Sequence, residues 1–200
     1  MQTLKIKDVV MVALITALYL ILYMVSGMGT MILGPMGHAI SPGLCGLITG
    51  AIFFFITRKV GKFGQFMFMQ AICMVLFSIM GAGYIPWVIT SMLGALVADL
   101  VASRENSPAV WKVVIASGVF HVGQAFGSII PAMFFVESYK EEWISRGQTP
   151  ESMEEMIKYI SGAMGVVSTV IVFVLSAVGV LIGYLILRKH FEKNDTPVTA

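Results

Sequence analysis

After Asp8 the chain runs through Val9–Gly29, VVMVALITALYLILYMVSGMG, without a charged residue. At about 1.5 Å rise per residue, roughly 20 apolar residues reach across a hydrocarbon core of about 30 Å. The stretch reads as a membrane-spanning helix, and the rest of the fold must be compatible with a bilayer. Lys5 and Lys7 precede it, and such basic flanks stay on the cytoplasmic side. Within it, Ala13 and Ala17 lie four residues apart on one face, with Thr16 beside them. They form a shallow strip where another helix can approach closely.

The whole composition agrees. The chain is 58% hydrophobic and 12% charged. Its mean hydropathy is +0.89, outside the soluble globular range. A net charge of +2 is too small to suggest a nucleic-acid partner, and no basic stripe with interleaved aromatics is present. Cys45 and Cys73 both fall in apolar spans and read as buried thiols, with neither bridge nor metal. No cleaved signal peptide is expected, because the first apolar run is too long and no small-residue cleavage site follows it.

Taken in order, the chain predicts six spans, at about 9–29, 39–57, 63–80, 87–103, 113–136 and 159–187, in a single membrane domain covering 1–200. The Gly- and Met-rich segment Gly27–His38 reads as a turning outer loop, and Ser41-Pro42-Gly43 as an early interruption of the second span. Ten basic residues fall on the side of the N-terminus: Lys5, Lys7, Arg58, Lys59, Lys62, Arg104, Lys112, Arg188, Lys189 and Lys193. Lys140, Arg146 and Lys158 make up the remaining three of the 13. That asymmetry places both termini in the cytoplasm. The outer loops are then Gly27–His38, Gly81–Pro86 and Glu137–Lys158. In the third, Thr149-Pro150-Glu151 reads as a helix start and Ser152-x-x-Glu155 as a capping box. Met153, Met156, Ile157 and Ile160 follow at helical spacing, so a short amphipathic helix is expected over about 150–158.

Polar groups inside spans are costly and tend to face a cavity or another helix. His121 and Gln124 are three apart on the fifth span and share a face near mid-depth. Trp87, Thr90 and Ser91 line the outer half of the fourth, preceded by Tyr84. Together they suit an outward-facing pocket with aromatic walls and a few polar groups to orient a small ligand. The same residues also suit interhelical hydrogen bonds and an interfacial aromatic belt. Asp99, near the cytoplasmic end of the fourth span, reads as a helix-end or ion-pair residue, with Arg104 or Lys112 as partner. The histidines His38, His121 and His190 fall outside, mid-membrane and inside, so they do not share a metal. Small-residue pairs recur at Gly46/Gly50, Gly94/Ala98, Gly123/Gly127 and Gly179/Gly183, a spacing that usually packs helices within one bundle. Glu141-Glu142-x-x-x-Arg146 with His190 resembles fragments of the CAAX-protease-like membrane hydrolases. The spans set these two pieces on opposite sides of the bilayer, so no catalytic residue is assigned.

The order and spacing of several short pieces resemble the S components of energy-coupling factor (ECF) transporters, in particular the MptD-type (Trep_Strep) group. The pieces are Leu4-Lys-Ile-Lys-Asp8, Ala13-x-x-x-Ala17, Arg58-Lys-Val-Gly-Lys-Phe-Gly64, Gly81-Ala-Gly-Tyr-Ile-Pro-Trp87, Gly94-Ala-Leu-Val-Ala-Asp-Leu100 and Leu187-Arg-Lys-His-Phe-Glu-Lys193. The resemblance covers nearly the full chain. It implies an all-α integral membrane protein, a six-helix S-component-like bundle with both termini inside. It further implies a substrate-binding subunit, not an enzyme, that captures a vitamin or precursor outside and docks through Ala13 and Ala17 on a transmembrane T subunit. Two ATPase subunits hydrolyse the ATP, so no cofactor is expected in this chain, which has no phosphate-binding loop. The N-terminus lacks the His-rich segment of metal-binding members, which favours an organic ligand. The expected ligand contacts are Tyr84, Trp87, His121 and Gln124, with His38 from the first outer loop. The alternatives are a standalone secondary transporter and a CAAX-protease-like hydrolase.

Overall fold

The computed structural model describes residues 3–103 and 108–192. These form eight helices: α1 (Ile6–Met31), α2 (Gly34–Lys59), α3 (Gln65–Ile79), α4 (Ile85–Ala102), α5 (Val110–Phe134), α6 (Val136–Ser145), α7 (Pro150–Ile160) and α8 (Gly162–Glu192). The helices α1, α2, α4, α5 and α8 are long and apolar enough to cross a membrane. α3 is a shorter apolar helix of 15 residues. At about 1.5 Å per residue it is only about 22 Å long. Leu4 packs at Gly64 before α3, and Tyr23 meets Phe77 near its end, so α3 runs alongside α1 in the same direction.

The lipid-facing surface is apolar. Leu14, Leu18 and Ile21 on α1 and Val170, Leu185 and Ile186 on α8 are all more than half exposed. In water such faces would be unfavourable; against hydrocarbon they carry no cost. Helices satisfy most backbone polar groups internally, as a bilayer requires, with breaks in the ladder at Pro42 of α2 and Pro131 of α5. Hydroxyls inside the spans follow the same rule. Thr16, Thr49, Thr57 and Ser176 each donate to the carbonyl four residues back.

Small residues set the closest helix contacts. On α2, a Cβ at Gly43 would lie 2.7 Å from the Val172 Cα of α8, and Gly46 and Gly50 meet Ser176 and Gly179. Gly183 meets Ala51. A Cβ at Gly94 of α4 would lie 2.9 Å from the Gly123 Cα of α5, and Ala98 is fully buried. These small-residue pairs therefore pack within the bundle. The Ala13/Ala17 pair differs: Ala17 is exposed and Ala13 half-buried, while Thr16 turns inward and is fully buried.

Two apolar clusters result. One joins Val12, Tyr19, Phe53, Phe66 and Phe120 from α1, α2, α3 and α5. The other joins Ala39, Ile129, Tyr139, Met153 and Ile160, and holds α6 and α7 against the outer ends of α2 and α5. Cys45 and Cys73 are free and buried.

Several expectations need correction. Gly27–His38 is not a loop: α1 continues to Met31 and α2 begins at Gly34, leaving a break at Ile32–Leu33. Pro35 sits in the first turn of α2, where its missing N–H costs nothing. Ser41-Pro42-Gly43 does not interrupt the second span, since Pro42 lies inside α2. Glu137–Lys158 holds α6 as well as the expected amphipathic helix. That second helix, α7, is capped by the Thr149 hydroxyl, which accepts from the Ser152 N–H at 3.2 Å. Tyr159 belongs to α7, and the sixth span starts at Gly162, whose φ of +54° marks the corner.

Asp99 takes the helix-end role. α3 begins after Gly64, which offers no capping side chain. The Asp99 carboxylate of α4 accepts from the Phe66 N–H at 3.1 Å and the Met67 N–H at 2.9 Å. These are two of the orphan donors that every helix start carries. Ser103 donates to the same carboxylate at 2.9 Å, and Gln65 donates to Ser103 at 2.8 Å. Arg104, one proposed ion-pair partner, lies outside the described residues. At the same end, Lys62 pairs with Asp8, which also accepts from the Lys5 N–H.

Candidate ligand-binding site

A cavity of about 200 Å³ opens at the end of the bundle opposite Lys5, Lys59 and Lys62. The positive-inside count assigns that end to the outside. Six of the eight helices, or the turns beside them, contribute to it. Tyr23 comes from α1, His38, Ser41 and Pro42 from the first turns of α2, and Phe77 from the end of α3. Ala82 and Tyr84 come from the turn before α4, and Trp87 from its first turn. Gln124, Gly127 and Ser128 come from α5, and Trp143 from α6. None of these residues carries a carboxylate, ammonium or guanidinium group.

The walls are aromatic. Tyr23 meets Phe77 with ring centroids 5.1 Å apart, and Phe77 meets Trp87 edge-on at 5.6 Å. Tyr84 packs on Trp143 at 5.8 Å and on Tyr139 at 6.0 Å. Gly127 lets α5 lie against Trp87, whose Cα would be 2.5 Å from a Cβ at that position. Burial pushes the Tyr84 phenol above its ordinary value; Glu142 adds to that shift and Arg146 opposes it. Tyr84 is therefore a neutral hydroxyl at physiological pH.

The polar floor is a hydrogen-bonded chain. His121 Nδ1 lies 2.8 Å from the Ser117 carbonyl oxygen, which can only accept. Tyr19 Oη lies 3.5 Å from His121 Nε2. Gln124 Nε2 donates to Tyr19 Oη at 3.2 Å and to Gln70 Oε1 at 3.1 Å. Gln124 Oε1 and Trp143 Nε1 are buried with no protein partner. Gln70 Nε2 is also unpaired, but its side chain does not line the cavity.

Arg146 closes the outer edge. Its Nε donates to Glu142 Oε1 at 2.7 Å, and its two terminal nitrogens donate to the Gly81 and Gly83 carbonyls, both at 3.3 Å. The guanidinium lies 5.6 Å from the Trp143 ring centroid and 6.0 Å from that of Tyr84. So α6 is tied across the cavity to the α3–α4 turn.

Of the residues expected from the sequence, Tyr84, Trp87, Gln124 and the exposed His38 meet at this cavity. His121 does not line it. It is fully buried below, among Tyr19, Phe53 and Phe120. Glu142 is engaged with Arg146 on α6, whereas His190 sits in the last turn of α8 at the far end. The hydrolase fragments are not brought together.

Over residues 6–193 the chain matches the model of a family described as a hypothetical bacterial integral membrane protein, Trep_Strep. The chain belongs to the Trep_Strep family. No curated protein and no solved structure matches it. Family and fold together make it a multi-pass protein of the cell membrane.

In this Trep_Strep chain, sequence reasoning missed Tyr19, Tyr23, Gln70, Phe77 and Trp143. Gln70 had a signal: it is an uncharged polar residue deep in an apolar run, like Gln124. Trp143 had a weaker one, since Val136, Tyr139 and Trp143 repeat at helical spacing within the charged segment. The aromatics of α1 and α3 had none, because any apolar residue there serves a span equally well.

Proposed function

We propose that this chain is the substrate-binding membrane subunit, an S component, of an ATP-driven ECF-type importer. It captures a small organic micronutrient, such as a vitamin or precursor, on the outer side for delivery to the cytoplasm. The observation that carries the reading is the uncharged, aromatic-walled cavity at the outer end, with two buried polar atoms unpaired. Such a concave apolar site with a few convergent polar groups is the usual form of a small-molecule site.

The Ala13/Ala17 strip, exposed at Ala17 and half-buried at Ala13, supports the partner side of the proposal. The glycine-containing pairs are consumed by packing inside the bundle, whereas the Ala17 side of this pair faces out toward a transmembrane T subunit. Two ATPase subunits complete the importer and supply the energy. The test is gentle solubilisation from native membranes, with mass spectrometry of the bound small molecule and of co-purifying proteins. An organic micronutrient together with a T subunit and ATPases is expected. Sustained ligand uptake by the chain alone, without ATPases, would replace the proposal with a standalone secondary transporter.

A further inference from the structure

We propose that the cavity takes a neutral, planar heterocycle that donates an N–H to Gln124 Oε1 and accepts from Trp143 Nε1. The proposal rests on the cavity being the ligand site of the preceding section and adds the ligand's chemical class. His121 enters as a positioning residue that sets the hydrogen-bond polarity of Gln124.

The polarity follows from one fixed point. The Ser117 carbonyl can only accept, so His121 Nδ1, 2.8 Å away, carries a hydrogen. The hydrogen-bond partners of His121 among the described residues are Ser117 and Tyr19, with no carboxylate to compensate an imidazolium. A neutral ring with hydrogen on Nδ1 presents a lone pair at Nε2. Tyr19 therefore donates its hydroxyl hydrogen to Nε2, and its oxygen remains as an acceptor. Gln124 must then point its NH2 group at Tyr19, and its second N–H meets Gln70 Oε1. In this orientation both N–H groups of Gln124 are used. Its carbonyl oxygen is left over, on a side chain that is 3% exposed and lines the cavity.

At the other wall, Trp143 Nε1 is a donor only, buried beside the Tyr139 hydroxyl but outside hydrogen-bond geometry with it. One unpaired acceptor and one unpaired donor define a ligand with the reverse pair. Tyr23, Phe77, Tyr84 and Trp87 supply ring faces and edges between them. No carboxylate, ammonium or guanidinium group lines the cavity, its one titratable base is His38, and Arg146 beside it is already committed to Glu142 and two backbone carbonyls. A carboxylate or phosphate placed inside would lose its hydration with no compensating charge. A ligand that supplies both hydrogen bonds satisfies two polar atoms that the protein leaves unpaired.

The test is calorimetric titration of the purified full chain in lipid nanodiscs with three probes. These are the lactam carbostyril, its N-methyl derivative and a ring-carboxylated analogue. Carbostyril keeps the N–H donor and carbonyl acceptor, and the N-methyl derivative loses only the donor. A site built around an unpaired acceptor rejects the analogue lacking the donor, here by roughly tenfold or more. The carboxylated analogue is expected to bind more weakly still. In Tyr19→Phe, which preserves the ring packing, Gln124 is free to flip and the preference for carbostyril over the N-methyl derivative should collapse. A merely structural role for Tyr19 would weaken all probes alike and leave the ratio unchanged. Equal affinity for the lactam pair overturns the proposal, as do tighter binding of the anion, saturation by none of the three, or an unchanged ratio in Tyr19→Phe. Binding in nanodiscs needs no partner subunit, whereas co-purification of ATPases needs no lactam, so the two proposals fail separately.

Discussion

At the scale of single residues, the chain places each polar side chain where one specific orphan needs it. Asp99 caps a helix to which it does not belong. Asp99→Ala leaves two helix-start N–H groups and the Ser103 hydroxyl hydrogen unpaired in a buried site. Lost hydrogen bonds to a buried charge give an expected destabilisation of about 3 kcal/mol. The drop should appear as a lower thermal midpoint of the detergent-solubilised protein; a midpoint within a degree of wild type would show that the cap is dispensable. Trp87 is the matching residue on the ligand side. Trp87→Ala removes an aromatic wall and should weaken the bound micronutrient roughly tenfold or more, read by titration of the ligand identified by mass spectrometry. Unaltered affinity would mean that the cavity is not the ligand site.

At the scale of elements, one contact holds the long helices together and another ties α6 across the cavity. The α2–α8 contact depends on backbone meeting backbone: a Cβ at Gly179 would lie 2.6 Å from the Leu47 carbonyl oxygen. Gly179→Leu forces the helices apart and should cost roughly 3 kcal/mol, at the upper end for overpacking. Loss of cooperative unfolding in a thermal scan would report it, and wild-type stability would refute the close approach. The second contact is the Arg146 tie between α6 and the α3–α4 turn. Arg146→Ala removes hydrogen bonds to Gly81, Gly83 and Glu142 without touching the polar floor. Ligand dissociation should accelerate by about tenfold while association changes little, the usual division when a closing contact is lost. Stopped-flow measurement of both rates decides it; an unchanged dissociation rate would leave α6 as a static wall.

The elements were unequally legible in the sequence. Membrane spans announce themselves, because a bilayer demands length and apolarity together. α6 did not, because Glu137, Lys140, Glu141 and Glu142 mask Val136, Tyr139 and Trp143 along the same turns. The Gly27–His38 segment misled for the opposite reason. Its glycines and Pro35 are turn formers in water, yet in a membrane bundle helix is the conformation that satisfies the backbone, and neighbouring helices hold it. The polar pair His121 and Gln124 stood out from the start, but their division of labour did not. One residue faces the cavity and the other faces its own helix backbone, a difference set by rotamers and by Tyr19 on another helix.

At the scale of the whole molecule, the fold presents an outer cavity and a lipid-facing strip of small residues on α1. Ala17→Trp should leave thermal stability within about 0.5 kcal/mol of wild type, since the side chain projects into lipid. Combined with Ala13→Trp, it should abolish co-purification of the T subunit while ligand binding in nanodiscs persists. Retention of the T subunit in the double variant would remove the docking role from this face. Equally, simultaneous loss of ligand and partner would show that the strip supports the bundle itself.

The sequence by itself determined that the chain crosses a membrane several times, and the asymmetry of its basic residues oriented it. Those properties depend on sums over many residues, which no single packing choice can reverse. Tertiary structure alone decided which small-residue pairs close the bundle, which helix Asp99 caps, and that Gln124 meets Tyr19 and Gln70. Each of these requires two residues far apart in the chain to meet within hydrogen-bond or van der Waals distance. Tyr19 and Gln124 are 105 positions apart, and only the packing of α1 against α5 makes one the partner of the other.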